Sequence, residues 1–208
     1  MLANRLIPKY RYEDCAILAL DDGSVIVGLQ IAKQLHCTLS LLSIAEIRLP
    51  QEPIAVAGMA NEGAFSYNTS EYSKGDLDEL VLENRGYVEQ EKLKKMHEIN
   101  QVIGHVGAVN KQLLRDHNII VVSDGLKSAF DIDIVYEFLK PVKLNKLVFA
   151  IALASVPVVD KMHVLGDELY CLDVVEDYIG TNHYYDDNNL PEHEDIIKLI
   201  KEVILKWQ

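Results

Sequence analysis

Five short runs of apolar residues constrain the fold of this chain more than any other feature of its sequence. A continuous apolar run of this length, bounded by polar or turn-forming residues, predicts a β-strand that is buried on both faces. The runs are residues 15–20, 38–44, 118–122, 146–152 and 168–172.

Helical patterns separate most of these runs. Residues 25–35 follow the first run, residues 130–139 the third and residues 157–165 the fourth, where Pro157 suits a first helical position. Alternation of strands and helices implies right-handed crossovers and a parallel sheet with helices on both faces. The sequence therefore predicts an α/β protein.

The middle of the chain departs from this alternation. Residues 52–72 mix glycines, small residues and aromatics, which indicates an inserted set of hairpins or loops. Residues 77–103 read as a long charged helical region with a break near Gly86, and residues 104–110 (GHVGAVN) read as a loop. We identify no linker that would divide the chain into separate domains.

A C-terminal helix is predicted to begin at Pro191, with acidic residues in its first turn that favour the positive end of the helix dipole. Its apolar positions recur at helical spacing, which is typical of a face packed against a core. These positions are Ile196, Ile200, Val203 and Trp207, with Ile197 and Ile204 beside them.

The charge of the chain excludes two classes of partner. There are 20 basic and 32 acidic side chains, a net charge of −12, and the densest basic run at residues 92–95 is flanked by acids. Such a chain is repelled by nucleic-acid phosphates and by anionic lipid. No apolar stretch approaches the roughly 20 residues that are needed to cross a membrane. Residues 1–12 contain Arg5, Lys9 and Arg11 but no apolar segment of about 7–15 residues, so we expect no signal peptide. The three cysteines, Cys15, Cys37 and Cys171, lie among apolar residues, so we expect reduced core thiols in a cytoplasmic protein.

Two turns that follow predicted strands are the candidate ligand site, because ligands of parallel sheets bind at the carboxyl ends of the strands. Each combines a glycine with acids and hydroxyls before a helix, which suits a phosphate held by backbone N–H groups or a sugar bonded by carboxylates. The first turn consists of Asp21, Asp22, Gly23 and Ser24. The second consists of Ser123, Asp124, Gly125, Leu126, Lys127, Ser128 and Ala129.

The second turn resembles a known motif. Residues 119–126 (IIVVSDGL) are similar to the phosphoribosyl pyrophosphate (PRPP) motif of type I phosphoribosyltransferases: a hydrophobic strand, two acids and a glycine before a phosphate loop of the form A-T-G-x-T. Other segments match a bacterial phosphoribosyltransferase-like family in the same order. They are residues 20–24 (L-P-R-G-G in the family), 44–46 (V-R-K), 50–53 (P-x-N-P), 57–63 (I-G-A-x-x-E-G) and 178–185 (Y-x-V-G-x-F-Y).

This resemblance implies a fold and a ligand. It implies that residues 1–208 form a single phosphoribosyltransferase-like domain, a parallel sheet flanked by helices, with a small hood built from residues 52–72 and the terminal segments. It also implies a ribose-phosphate or nucleotide ligand and, in an active enzyme, Mg²⁺. Dimers are common where the fold resembles this family, so a homo-oligomer is a further expectation.

The residues that touch PRPP in the family have changed here. Ser123 replaces the first of the two acids, so that Asp124 alone remains to bond the ribose, and Asp22 replaces an arginine of the pyrophosphate loop. The phosphate loop contains Ala129 for a glycine and Asp131 for a hydroxyl residue. The arginine–lysine pair after the second strand is replaced by Ala45 and Glu46. A carboxylate about 4 Å from a phosphate charge costs roughly 1 kcal/mol in water and about 4 kcal/mol at an effective dielectric constant of 20.

These substitutions favour a catalytically degenerate protein that acts as a binding, regulatory or assembly subunit. The long 77–103 region is the first candidate surface for a protein partner or a second copy. The alternative is an active phosphoribosyltransferase that uses PRPP and Mg²⁺ with an altered site, in which Asp124 bonds the ribose and Lys127 supplies a replacement charge. A third hypothesis is a hydrolase or lyase of a less anionic ribosyl compound, with Asp21 and Asp22 as base or metal ligands.

Two other features are weaker signals. Tyr184 and Tyr185 could stack on a base or pack in the core. A stretch rich in histidine and acids could hold a divalent metal, but its spacing matches no known metal pattern and favours a solvated acidic loop. The residues of this stretch are His183, Asp186, Asp187, Glu192, His193 and Glu194.

Overall fold

The predicted strands form a parallel sheet in the computed structural model, which describes residues 1–106 and 109–206. Within these residues the strands are β1 (Cys15–Ala19), β2 (Thr38–Leu41), β3 (Ile44–Ile47), β4 (Ala57–Ala60), β5 (Phe65–Tyr67), β6 (Asn118–Ser123), β7 (Lys146–Ser155) and β8 (Glu168–Val175). The helices are α1 (Leu2–Tyr10), α2 (Asp22–Leu35), α3 (Lys74–Glu83), α4 (Arg85–Val106), α5 (Lys111–Leu114), α6 (Ala129–Leu139), α7 (Val156–Leu165) and α8 (His193–Lys206). Short 3₁₀ turns occur at Asn61–Gly63 and Thr181–His183.

The parallel sheet has the order β2-β1-β6-β7-β8 in the described part of the chain. The first strand therefore lies between β2 and β6. The next strand in the chain, β2, lies on one side of it, and the later strands β6, β7 and β8 lie on the other side. Ala19 pairs with Leu41 on one side and with Val122 on the other. Where strand order reverses in this way, the loops at the carboxyl ends of the two central strands diverge and leave a crevice for a ligand. Those loops follow β1 and β6.

Helices from both ends of the chain belong to the same compact unit as the parallel sheet. Helix α2 packs on β1, β2 and β6, while α1 and α8 pack against α2. Helix α7 packs on β7 and β8. The apolar stripe predicted for the C-terminal helix is buried at Ile196, Ile200 and Val203. Its last member, Trp207, lies outside the described residues, and the helix begins at His193 rather than at Pro191.

A second compact unit contains the middle of the chain and helix α6. Its strands form an antiparallel sheet of order β3-β4-β5, so the predicted hairpin insertion at 52–72 is confirmed. Helix α4 packs on β3 and β4, and α6 packs on β4 and β5. Ile47, Val56, Leu77 and Val88 form the centre of its core.

Several local predictions need correction. The apolar run 38–44 is divided, because β2 ends at Leu41 and Ile44 begins β3 in the other sheet. The helical region 77–103 is divided at Asn84, close to the predicted break. The loop predicted at 104–110 is wrong at its start, since α4 continues to Val106, and residues 107 and 108 lie outside the described residues. Helix α1 was not predicted.

The fold class predicted from the sequence is confirmed as an α/β fold: a parallel sheet flanked by helices, with a small antiparallel sheet in addition. The antiparallel sheet includes the 52–72 region of the expected hood, whereas both terminal helices belong to the parallel-sheet unit. Cys15 and Cys37 are buried and Cys171 is partly exposed. Among the helices described, none is long and apolar enough to cross a membrane.

Candidate functional site

The turn after β1 is organised by the carboxylate of Asp21. Asp21 is the N-cap of α2, and its Oδ1 accepts hydrogen bonds from the backbone N–H of Ser24 at 2.7 Å and from the Ser24 hydroxyl at 2.6 Å. This is the capping chemistry expected of Asp at a helix start. As a result, a carboxylate belonging to the chain itself lies at the positive end of the α2 dipole.

The carboxylate of Asp124 lies against the same turn. A Cβ atom on Gly23 would stand 2.2 Å from Asp124 Oδ2, so glycine is required for this close approach. The Ser24 hydroxyl lies 3.4 Å from Asp124 Oδ1. Burial, and then the negative charge of Asp21, raise the pKa of Asp124 to about 6. The two predicted turns are therefore brought together, with two carboxyl groups in proximity.

The third acid of the site is paired with a histidine from the far end of the chain. His193 Nδ1 lies 2.9 Å from both carboxylate oxygens of Asp22, so that the start of α8 is joined to the first turn of α2. The other ring nitrogen, Nε2, is buried and has no hydrogen-bond partner in the part of the chain that the structure describes. The sequence marked His193 only as a weak metal candidate and gave no indication of this contact.

The loop after β6 is extended along β7. Leu126 donates its N–H to the Leu153 carbonyl at 2.9 Å and accepts from the N–H of Ser155 at 3.1 Å. The Ser155 hydroxyl donates to the carbonyl of Lys127 at 2.8 Å. At the start of the loop, the hydroxyl of Ser123 accepts from the N–H of Gly125 at 3.1 Å. These bonds fix the path of residues 123–127.

Residues after β8 cover the same loop. A Cβ atom on Gly125 would stand 2.1 Å from the Tyr178 hydroxyl and 2.7 Å from Thr181 Oγ1. Tyr185 donates its hydroxyl to the carbonyl of Asp124 at 2.9 Å, and burial together with the charge of Asp124 raises the pKa of Tyr185 to about 12. From the sequence we expected Tyr185 either to stack on a base or to pack in the core, and this hydrogen bond was not predicted.

A cavity opens beside this loop, with a volume of about 340 Å³. Its walls come from the turn after β6, the end of β7 and the segment after β8, and its size lies within the range of small-molecule sites. The lining residues are Lys127, Ser155, Pro157, Glu176, Asp177, Tyr178 and Ile179. One of these residues is Lys127, which in the active-enzyme alternative would supply a replacement charge.

The other candidate residues belong to helix α6, the residue before it and strand β3. Ser128 precedes α6, Ala129 begins it, and Asp131 lies in its first turn. Glu46 lies on β3 and accepts from Arg48 Nε at 3.0 Å. In the described ranges, no group of three or more histidine, cysteine, aspartate or glutamate side chains is arranged to hold a metal ion. The Mg²⁺ implied by the resemblance therefore stays a prediction that concerns an active enzyme.

Comparison with known proteins gives structural matches but no sequence match. No protein-family model and no curated protein matches the sequence. The protein TT1426 from Thermus thermophilus is 19% identical with a TM-score of 0.71, over 97% of this chain and 93% of that one. It shares the fold of this chain over nearly its whole length.

Two further structures align less closely. A hypoxanthine phosphoribosyltransferase from Staphylococcus aureus is 12% identical with a TM-score of 0.47, over 85% of this chain and 70% of that one. A protein from Neisseria gonorrhoeae with bound ppGpp is 11% identical with a TM-score of 0.45, over 95% and 87% of the two chains.

Proposed function

We propose that this chain is a degenerate phosphoribosyltransferase-type protein that acts as a binding, regulatory or assembly subunit rather than as a PRPP-dependent enzyme. The observation that carries the proposal is the position of the Asp21 carboxylate. It caps the N-terminus of α2 in the turn where the sequence resemblance expects pyrophosphate, and its acceptor atom is already used by Ser24.

Charge at the site supports this proposal. A helix N-terminus attracts a phosphate because its N–H groups are unpaired and its dipole is positive. Here the cap Asp21 and the first-turn residue Asp22 supply negative charge at that end, and Asp124 adds a third carboxyl group nearby. Each full carboxylate charge costs a phosphate about 1 to 4 kcal/mol at about 4 Å, depending on the effective dielectric. The His193 ring contacts the carboxylate of Asp22.

The same residues suit a ligand with less negative charge. Carboxylates accept hydrogen bonds from sugar hydroxyls, and Asp124 retains the position that the resemblance gives to the ribose-binding acid. The adjacent cavity is lined by two apolar residues, by Ser155 and Tyr178, and by one cation and two acids, which are Lys127, Glu176 and Asp177. A ribosyl compound without pyrophosphate, such as a nucleotide or a ribose phosphate, is the ligand class that this arrangement favours.

One observation favours the alternative of an active enzyme. The pKa of Asp124 is raised to about 6 by burial and by the charge of Asp21, and a carboxyl group that titrates near neutral pH is suited to proton transfer. A Mg²⁺ ion brought by the substrate would be attracted by the two carboxylates and would lower their repulsion. In that case Asp124 would bond the ribose, and Asp124→Asn should abolish turnover.

Calorimetric titration with PRPP and Mg²⁺ distinguishes the two proposals. We expect the wild-type protein to give no binding heat up to millimolar PRPP. The variant Asp21→Asn/Asp22→Asn should bind PRPP at least about tenfold more tightly than the wild type, because two charges are removed while the cap and the hydrogen bond to His193 are preserved. The matched control Glu13→Gln/Glu202→Gln removes two exposed acids away from the site and should have no effect.

Micromolar binding of PRPP by the wild type would overturn the proposal and favour the active enzyme. The same titration with a nucleotide and with ribose 5-phosphate tests the proposed ligand class. Binding of either compound, together with no binding heat for PRPP, supports the binding-subunit proposal.

A further inference from the structure

The segment between β8 and α8 lies over the loop of the candidate site. It comprises residues 176–192, and we call it the strap. Within these residues, all of which the structure describes, regular structure is limited to the 3₁₀ turn at Thr181–His183. Tyr178 is buried, and the rest of the strap is partly or fully exposed. The strap is therefore an irregular, mostly exposed segment that contacts the site through a few side chains.

Two hydroxyl groups of the strap fill the space beside Gly125. A Cβ atom on Gly125 would overlap the Tyr178 hydroxyl and would stand 2.7 Å from Thr181 Oγ1. The two hydroxyls are 2.7 Å apart and hydrogen-bonded to each other. A glycine allows a ligand to approach the backbone closely, but here the strap itself takes up that space.

Two further contacts fix the strap to the site. In its second half, Tyr185 donates its hydroxyl to the Asp124 carbonyl at 2.9 Å. Directly after its end, His193 Nδ1 lies 2.9 Å from both carboxylate oxygens of Asp22. The strap and the residue that follows it therefore contact both turns of the candidate site.

The loop beneath the strap is closed to a ligand in this conformation. The N–H of Gly125 donates to the Ser123 hydroxyl at 3.1 Å, and the N–H of Leu126 donates to the Leu153 carbonyl at 2.9 Å. Tyr178 lines the cavity of about 340 Å³ and also stands against Gly125. A ligand in the cavity therefore meets Tyr178 before it meets the loop.

The strap is built to leave the loop as a unit. Hydrogen bonds within it preserve its shape: Tyr184 donates its hydroxyl to the Asp177 carbonyl at 3.0 Å, and Asn188 Nδ2 donates to the Asn182 carbonyl at 3.0 Å. Segments with few buried side chains and an exposed backbone open at a free energy well below that of global unfolding, and segments that cover binding sites are commonly of this kind. Opening of the strap therefore needs only the loss of its few contacts with the loop.

We propose that the strap is an autoinhibitory cover of the candidate site, which a ribose phosphate or a nucleotide displaces when it binds. Hydroxyl groups of the ligand take the place of the Tyr178 and Thr181 hydroxyls beside Gly125. This role rests on the ligand class proposed above and adds its regulation. Because ligand and strap compete for one loop, the apparent affinity is the intrinsic affinity multiplied by the fraction of molecules in which the strap is open.

Hydrogen exchange of the full chain without ligand tests the contacts that hold the strap. Tyr185→Phe removes the hydrogen bond to the loop and keeps the ring, and Gly125→Ala introduces a Cβ that displaces the strap from the other side. In each variant, residues 176–190 should exchange at least about threefold faster than in the wild type, the effect of losing about one hydrogen bond. Tyr12→Phe is the matched control, because Tyr12 is 92% exposed. Thermal unfolding checks that all variants fold.

Hydrogen exchange with ligand bound distinguishes a cover that is displaced from a lid that closes. With ribose 5-phosphate or AMP at saturation, the strap of the wild type should exchange faster than in the free protein, because the ligand holds it open. A lid that closed over the ligand would instead exchange more slowly.

Calorimetric titration with the same two compounds measures the competition. Thr181→Val/Tyr185→Phe removes two hydroxyls of the strap, and neither residue lines the cavity. This variant should bind at least about threefold more tightly than the wild type, because the strap is open in a larger fraction of the molecules. Tyr12→Phe should bind as the wild type does.

Slower exchange of the strap on ligand binding would overturn the proposal, and so would unchanged exchange in both Tyr185→Phe and Gly125→Ala. Equal or weaker binding by Thr181→Val/Tyr185→Phe would overturn the autoinhibitory role and leave the proposed ligand class intact. Absence of binding by the wild type and by every variant would overturn both. Micromolar binding of PRPP contradicts the proposed function but leaves the expected exchange of the free strap unchanged.

Discussion

Asp124 is a half-buried carboxyl group held close to a second carboxyl group, and this couples its ionisation to folding. Burial and then the charge of Asp21 raise its pKa to about 6. The folded protein therefore binds this proton more tightly than the unfolded chain, whose aspartate titrates near pH 4. The contribution of Asp124 to stability is fully present below about pH 4 and is lost as the pH rises through about 6.

Asp124→Asn should therefore stabilise the protein at pH 7.5 and have little effect near pH 4. We expect a gain of about 1 to 2 kcal/mol at pH 7.5, less than the full linkage value because part of the carboxylate stays in water. Urea unfolding of both proteins between pH 4 and 7.5 measures the difference. The exposed Asp160→Asn serves as the control. A difference that does not change between pH 4.5 and 7.5 would contradict the expectation.

At the level of single residues, the sequence predicts the local part of the site and misses its long-range contacts. Asp21 and Ser24 are three residues apart, so their capping bond follows from helix-start chemistry alone. His193 bonds Asp22 across 171 residues. That contact depends on where α8 packs against α2, and no local pattern contains this information.

Helix α1 illustrates an element whose stability comes from its neighbours. It contains Pro8, which weakens any local helix signal, so the sequence does not predict it. Leu6 and Tyr10 are buried, and the ammonium group of Lys9 is paired with Glu168 at the start of β8. Burial alone would raise the pKa of Glu168, but hydrogen bonds from Lys9 and Lys146 outweigh it and hold this pKa at about 2.

Glu168→Gln should destabilise the protein at pH 7 by about 1 kcal/mol, a value reduced because both lysines reach solvent. A depressed carboxyl pKa stabilises the fold above about pH 4.5, and this stability is lost as the pH falls toward 2. In urea unfolding, the difference in the free energy of unfolding between the wild type and Glu168→Gln should therefore be larger at pH 7 than at pH 2.5. Glu137→Gln, which breaks the exposed pair with Lys140, is the control and should cost less than about 0.5 kcal/mol. An equal loss at both pH values would refute this account of Glu168.

The boundaries of the strands also depend on contacts that a sequence pattern does not contain. The apolar run 38–44 reads as one strand, but Leu42 donates its N–H to Ala19 in the parallel sheet at 2.8 Å. The next residue, Ser43, donates its N–H to Asn61 Oδ1 at 3.0 Å. The end of the strand is thus set by its hydrogen-bond partners rather than by a change in hydropathy.

At the scale of the whole molecule, alternating strands and helices predict the parallel sheet, and the irregular region 52–72 predicts an insertion. The assignment of α6 is the part that could not be predicted. It follows β6 directly in the chain, as a crossover helix would, yet it packs on β4 and β5 of the antiparallel sheet. Its buried residues Phe130 and Ile134 are apolar, and apolar residues would be needed on this helix whichever of the two sheets it packed against. Their pattern therefore does not indicate the sheet.

Substitution of Gly58 on β4 by alanine tests this division of the chain into two units. A Cβ atom there would stand 2.4 Å from Ile134 Cδ1 and 2.9 Å from Phe130 Cε1, so Gly58→Ala requires these two side chains of α6 to shift. Overpacking of this kind costs about 1 to 3 kcal/mol. Hydrogen exchange followed by mass spectrometry should show faster exchange in β3, β4, β5 and α6. Strands β1, β6 and β7 should keep the wild-type rates, because none of the atoms displaced by the new Cβ belongs to their unit.

Gly75→Ala is the matched control within the same unit. A Cβ at that position has no atom within 4 Å, and the residue lies in the first turn of α3. Alanine there removes backbone freedom from the unfolded chain without a clash, so the exchange rates should stay unchanged or fall slightly. Equal acceleration of exchange in both units by Gly58→Ala would mean that they unfold as one cooperative body.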